Sequence, residues 1–414
     1  MTISASIRWP APAALRAPLR AAVARAVFEH AVRQVPVRVT YSDGRVLGAG
    51  SLVSPEFQVV RPAALYARLG RDAKIGFGEA YLAGDWRAGS GTDLADLLTP
   101  FASRLATLIP PALQRLRLFV DRRVPSEHEN TLDGSRANIA AHYDLSNDLF
   151  AAFLDPTMTY SCAWFDDSEP VDAATRLEAA QLRKIDGILD LAGVRPGTRL
   201  LEIGSGWGSL AIRAAQRGAY VTTITLSREQ MQLARERAEA AGVSGLVEVR
   251  VQDYRAVDGL YDAIVSVEMI EAVGEAYWPA YFAAIDRLLA PGGRAAIQAI
   301  TMDHQRFLAT RRSFSWIQKY IFPGGIIPSL QAIDETLAGH TTLRVTGERE
   351  LRAHYARTLR LWRERFLDQW PRIRTQGFDE TFRRMWEFYL AYSEAGFRSG
   401  YLGVSQLQMT REPA

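Results

Sequence analysis

The sequence predicts an α/β chain built on a doubly wound parallel sheet of the Rossmann-like kind, with a smaller mixed α+β N-terminal domain. Three observations carry that expectation. At 414 residues and 48% hydrophobic content, the chain is longer than one usual domain and can bury a large core. From Thr175 onward, short apolar runs alternate with helical periodicity, the pattern of strands joined by crossover helices. The first of these runs ends in Gly204-Ser205-Gly206-Trp207-Gly208, a glycine-rich turn that opens a helix.

Taken in order, the chain begins with an amphipathic pattern from about Ala13 to Val32. It places Leu15, Leu19, Val23 and Val27 on one stripe and is interrupted by Pro18. Val35–Thr40 and Arg45–Leu52 alternate around Ser42-Asp43-Gly44 and read as a β-hairpin. Helical stretches then surround Gly76-Phe77-Gly78-Glu79 and Gly84-Asp85-Trp86. Leu113–Arg123 and the polar Pro125–Arg136 segment read as a linker, giving domains 1–125 and 126–414. In the second domain, strands are expected near Thr198–Ile203, Tyr220–Thr225, Leu246–Val251, Tyr261–Val267 and Arg294–Ile300. An insertion at about 303–340 contains the apolar turn Ile321–Pro328. Helices near Arg352–Gln369 and Phe378–Ala395 precede a last strand at about Tyr401–Met409.

Composition narrows the function classes. Cys162 is the single cysteine, which excludes an internal disulfide and any multi-cysteine metal site. No run approaches the roughly 20 apolar residues needed to span a bilayer, and the N-terminus lacks the apolar core of a secretory signal, so a cytoplasmic location is expected. Residues 1–125 carry 17 Lys and Arg against 9 Asp and Glu, while the remainder carries 32 against 37. A basic domain joined to a slightly acidic one suggests that the first faces a polyanion, either anionic lipid headgroups or nucleic acid.

The glycine turn is the most informative motif. Glycines let backbone amides approach a ligand where a side chain would clash. A nicotinamide fingerprint needs its third glycine where Ser209 stands, and an acid at the end of the second strand, where Thr225-Leu226-Ser227 stands. Both departures favour the Gly-x-Gly-x-Gly form of class I methyltransferases, whose cofactor is S-adenosylmethionine. The cofactor-binding candidates are then Glu202, Gly204, Ser205, Gly206 and Gly208 at the first strand end, with Thr225, Leu226, Ser227 and Gln230 at the second. Asp253 and Tyr254 follow the third strand, and Tyr160 and Ser161 precede the sheet.

Several blocks around this turn occur in one order. They are His142-Tyr143-Asp144-Leu145-Ser146-Asn147, Thr159-Tyr160-Ser161-Cys162, Leu201–Gly208, Thr225–Gln230, Val267-Glu268-Met269-Ile270-Glu271-Ala272-Val273-Gly274, Lys319–Pro328 and Ala395-Gly396-Phe397-Arg398. Together they resemble the cyclopropane-fatty-acyl-phospholipid synthases, strongly over about Asn138–Arg411 and faintly over residues 35–105. The resemblance implies methyl transfer from S-adenosylmethionine to a carbon–carbon double bond of an acyl chain at a membrane surface.

An isolated alkene is a weak nucleophile, and its methylation leaves a carbocation that must be kept from water until a base removes a proton. The resemblance implies bicarbonate as that base. The matching catalytic positions are Cys162, Glu271, Ile300 through its backbone, Tyr355, and Gln298 where many members have histidine. Glu271 would orient the base, whereas Glu268 reads as a nearby helix-start carboxylate; the block at 142–147 looks like a lid over the cofactor. Ala272 and Gln298 replace histidines common in the family. With Glu268 and Trp316-Ile317-Gln318-Lys319, they resemble the branch that makes 10-methylene acyl chains, precursors of 10-methyl (tuberculostearic-type) chains. Alternatives are cyclopropane closure, a soluble substrate, or an inactive lipid-binding descendant. The partners expected are a phospholipid surface, a separate reductase that saturates the product, and a second copy in a homodimer; nucleic acid is not expected.

Overall fold

The computed structural model describes residues 18–104, 146–166 and 173–411. The linker segments, residues 13–17 of the first predicted helix and His142–Leu145 lie outside the described residues. The chain divides into two units. The first comprises residues 1–124, 312–321 and 362–401, and the second residues 125–311, 322–361 and 402–414.

In the first unit, alternating burial builds a small mixed sheet from β1 (Arg38–Tyr41), β2 (Val46–Leu47), β3 (Glu56–Val59) and β4 (Trp86–Ala88), in the order β2-β1-β3-β4. The predicted hairpin is β1–β2, pairing Val39 with Leu47 across a turn in which Gly44 takes φ 84°. The described part of the first helix runs Pro18–Val32, so what lies before Pro18 is outside the described residues. Its buried residues are Phe28 and Val32, while Leu19 and Val23 of the predicted stripe are exposed. The aromatic core stacks Phe57 on Trp86 at 4.4 Å and sets Phe388 edge-on to Trp86.

The sequence-based boundary assigned everything after residue 125 to one domain, and two later segments depart from it. The reason lies in buried charge, since an ion removed from water must find partners. Glu79, buried in helix Ala73–Ala83, accepts from Lys319 Nζ at 2.6 Å and Tyr320 Oη at 2.9 Å. Arg363, also buried, pairs with Asp93 at 2.8 Å and Glu394 at 3.0 Å. The Ala395–Arg398 block therefore belongs to this unit, with Arg398 on Asp96 at 2.6 Å.

The second unit holds a seven-stranded sheet of β5 (Arg199–Ile203), β6 (Tyr220–Thr225), β7 (Val247–Val251), β8 (Tyr261–Val267), β9 (Leu289–Met302), β10 (Leu343–Glu350) and β11 (Leu402–Arg411). The order is β10-β11-β9-β8-β5-β6-β7, parallel from β9 to β7 and antiparallel at β11 and β10. Strand order reverses between β5 and β8, which opens a crevice at their carboxyl ends where a ligand belongs. β10 was not expected from sequence. It is an edge strand whose residues alternate between half-buried and exposed, so it carries no apolar run.

Candidate active site

The three glycines after β5 do three different jobs. Gly204, at φ 100°, leaves room for Met269, whose Sδ would lie 2.7 Å from an added Cβ. Gly208, at φ 88°, faces Ala234, whose Cβ would stand 2.9 Å away, so it lets two helices approach. Gly206, at φ 48°, has nothing within 4 Å of an added Cβ. Open space over an exposed backbone turn is the cradle a cofactor would fill.

That space belongs to a cavity at the carboxyl ends of the strands. Its wall includes Met158–Ser161, Lys184, Glu202–Trp207, Thr225, Leu226, Gln230, Gln252–Tyr254 and Val267–Met269. Eleven of the thirteen predicted cofactor candidates line it; Gly208 and Ser227 do not. Gly208 packs helices, and the Ser227 hydroxyl accepts from Gln230 N–H at 3.2 Å, capping helix Arg228–Ala240. The cap is cross-braced, with Thr225 Oγ1 donating to Gln230 Oε1 at 2.8 Å and accepting from Ser227 N–H at 3.1 Å. On the opposite lip, Trp207 Nε1 donates to Asn147 Oδ1 at 2.8 Å, which ties the described end of the 142–147 block to the glycine turn.

Glu202, Lys184 and Asp253 of this wall are buried. Burial pushes Glu202 up to about 8, against the pull of Thr223, whose hydroxyl donates to it at 2.6 Å. Thr223 Oγ1 also lies 2.7 Å from Ser205 Oγ. Lys184 was missed in the sequence although it is one of only three lysines. Burial lowers it to about 8, and its Nζ donates to Ser161 Oγ at 2.7 Å. Tyr254 stays a neutral phenol, raised to about 12 by burial. Asp253 is committed to Arg255, at 2.7 Å.

Within this wall stands a second cluster, centred on Glu268, which sequence reasoning passed over in favour of Glu271. Glu268 Oε1 accepts from the Cys162 amide and from Gln298 Nε2, both at 2.8 Å, and its Oε2 accepts from Tyr355 Oη at 2.6 Å. Gln298 Nε2 also donates to Cys162 O at 3.3 Å, and its Oε1 accepts from Gln406 Nε2 at 3.1 Å. That last pair is directly opposite across β9 and β11. Cys162 contributes its amide, because its thiol is buried, held protonated and bonded to Ala163 O at 3.2 Å. Glu271 lies outside the cavity wall. Its Oε1 accepts from Ile300 N–H, its Oε2 is buried with no partner among the described residues, and burial beside Glu268 raises it to about 8. The Glu271 carbonyl accepts from Ile326 N–H at 2.8 Å and so pins the apolar turn, whose residues 322–327 are half-buried.

Cys162, Gln298, Ile300, Tyr355 and Glu271 are thus brought together, but a bicarbonate does not fit among them. The amide, carboxamide and phenol donors that it would need are engaged by Glu268, and the Ile300 amide by Glu271.

Comparison with known proteins agrees with this architecture. The family described as mycolic acid cyclopropane synthetase matches residues 130–407. The chain is 54% identical over 413 residues to tuberculostearic acid methyltransferase UfaA1 of Mycobacterium tuberculosis, covering 98% of this chain and 96% of that protein. It is 33% identical to the cyclopropane-fatty-acyl-phospholipid synthase of Escherichia coli strain K12, over 84% of this chain and 85% of the other. Among solved structures, the cyclopropane synthase MmaA2 from Mycobacterium tuberculosis superposes with a TM-score of 0.60 at 32% identity, covering 66% of this chain and 97% of that one. The mycolic acid cyclopropane synthase CmaA1, solved with SAH and CTAB, gives 0.59 at 32% identity and the same coverage. The chain belongs to the mycolic acid cyclopropane synthetase family of S-adenosylmethionine-dependent methyltransferases.

Proposed function

We propose that the protein transfers a methyl group from S-adenosylmethionine to the cis double bond of an oleoyl-type acyl chain in a membrane phospholipid, giving a 10-methylene chain. One observation carries the reading: a single buried wall joins the glycine turn and Glu202 to a carboxylate, Glu268, held by a phenol and two amide groups. S-adenosylmethionine supplies an electrophilic methyl when bound. Glu202, Ser205, Thr225, Gln230, Asp253 and Tyr254 are the residues that would hold it, and the open face of Gly206 would admit it. The near-full-length likeness to a protein named tuberculostearic acid methyltransferase supports the methylene outcome over ring closure.

The test is expression in a host rich in oleoyl phospholipids, with lipid analysis. Acyl chains heavier by one CH2 are expected, and unchanged masses with folded protein present would remove the reading. Methylene and cyclopropane products share a mass, so proton NMR separates them. Vinylic signals are expected from the purified reaction with no reductase present. Strongly shielded ring protons alone would make the protein a cyclopropane synthase, the second reading supported by the Escherichia coli relative. In the methylene outcome, a separate reductase would saturate the product.

A further inference from the structure

We propose that the carboxylate of Glu268 is itself the proton acceptor of the reaction, standing where the family's bicarbonate would stand. The inference rests on the methyl-transfer reading above and names the base within it. A carboxylate and a bicarbonate present the same planar pair of oxygens, so the same donors suit either. Here the Cys162 amide, the Gln298 carboxamide and the Tyr355 hydroxyl all converge on Glu268, at 2.6–2.8 Å. An ionised carboxylate has about four acceptor sites, and three donors leave one unfilled. Oε2 carries the single Tyr355 bond and is the oxygen able to receive a proton.

The alternatives in the cluster are closed by their own bonds. Both Nε2 protons of Gln298 are donated and its Oε1 is engaged, which makes it a fixed donor with no basic site. The Cys162 thiol donates to Ala163 O. Glu271 lies outside the cavity wall, whereas Glu268 lies in it. The Glu268 backbone is also set for this place. It takes φ 51°, a conformation that non-glycine residues rarely adopt, and its N–H is fixed on Gln298 O at 2.7 Å. Strain of this kind persists where the surroundings hold a side chain in one position.

The balance of the step is as follows. The alkene π pair forms a carbon–carbon bond to the methyl as its carbon–sulfur bond breaks, leaving a neutral thioether and a carbocation on the adjacent carbon. A hydride shift moves the positive charge to the carbon bearing the new methyl. A methyl C–H pair then becomes the exomethylene π bond, and its proton passes to Glu268 Oε2, which later releases it to water.

The experiment uses the purified full chain with S-adenosylmethionine and oleoyl-phospholipid vesicles, in buffer freed of carbon dioxide and again with added bicarbonate. The parent rate is expected to be the same in both. Glu268→Gln is expected to lose at least about 100-fold in kcat, within the usual range for removing a general base, while calorimetry shows S-adenosylmethionine binding unchanged. Glu268→Gly, which suits the positive φ and vacates the space of a carboxylate, is expected to regain turnover with bicarbonate and not with chloride. A parent rate that collapses without bicarbonate, or a glutamine variant within tenfold of the parent, overturns the proposal while leaving methyl transfer standing. A folded parent that transfers no methyl overturns both.

Discussion

Glu271 shows what burial does to a carboxyl group that has a neighbour of like charge. Pushed up to about 8 from an ordinary value of 4.5, it holds a proton in the folded chain that the unfolded chain has lost between those two pH values. The stability it contributes is therefore complete below about 4.5 and is lost as pH rises through 8. Glu202, also near 8, acts with the same sign. In Glu271→Gln the amide keeps an oxygen for Ile300 N–H and cannot ionise. Scanning calorimetry without cofactor should show the parent Tm falling between pH 5 and 8, with the variant falling less and overtaking the parent at the upper end; parallel curves would mean that Glu271 ionises freely. At the glycine turn, Gly206→Val should abolish S-adenosylmethionine binding by calorimetry: valine at φ 48° strains the backbone and lowers the Tm, but its Cβ meets no protein atom within 4 Å, so the side chain fills the ligand's space. Retained binding would remove the cradle from the site. The sequence motif placed Glu268 and Glu271 three residues apart and favoured Glu271 on motif position alone, because which of them receives Tyr355, Gln298 and the Cys162 amide depends on long-range packing that a local motif does not carry. Lys184 was illegible for a similar reason: its helix resembles any amphipathic helix, and only scarcity of lysine marked it.

Among the elements, the parallel strands were legible because each is a short run between helical patterns, apolar and buried in β5 and β8 and alternating in β7, and four of the five match within about a residue. β9 is longer than expected at its start, where Leu289 pairs with Tyr261 and Arg294 with Ala263 and the intervening Ala290-Pro291-Gly292-Gly293 forms an irregularity in the pairing that carries no strand pattern. β10 escaped because an edge strand is specified by pairing with β11 and not by hydrophobicity. Gly208 shows how a motif residue can serve packing. With φ 88° and Ala234 2.9 Å from an added Cβ, Gly208→Ala should destabilise the fold by about 2–4 kcal/mol, from overpacking plus the left-handed backbone penalty. Urea unfolding measures it. The folded fraction should still bind S-adenosylmethionine, in contrast to Gly206→Val, and a variant as stable as the parent would show that the two helices can separate without loss.

At the scale of the whole molecule, the division into units sharpens the charge asymmetry seen along the chain. The three segments of the first unit together carry 26 Lys and Arg against 15 Asp and Glu, a formal charge of +11, which leaves −8 on the second. Sequence alone placed the boundary only at residue 125, because the later segments join the first unit through ion pairs with one buried partner, such as Lys319–Glu79 and Arg363–Asp93, which no local pattern announces. No helix of the described residues is long and apolar enough to cross a membrane. We propose that the first unit makes the contact with the phospholipid surface. Its surface also exposes Leu52 and Val53, at 85% and 94%, in the turn between β2 and β3, a pair able to enter the headgroup layer. Attraction of basic residues to anionic lipid is worth about 1 kcal/mol each near the surface and is screened within about 10 Å at 0.1 M salt. Vesicle co-sedimentation should therefore show binding to anionic vesicles at least about tenfold above neutral ones at low salt, with the difference shrinking as salt rises. Replacing Leu52 and Val53 by Asp should weaken binding at all salt concentrations without altering the Tm. Equal binding to neutral and anionic vesicles at low salt would leave the +11 charge without a membrane role, and an unaffected double variant would assign the contact to another surface of the unit.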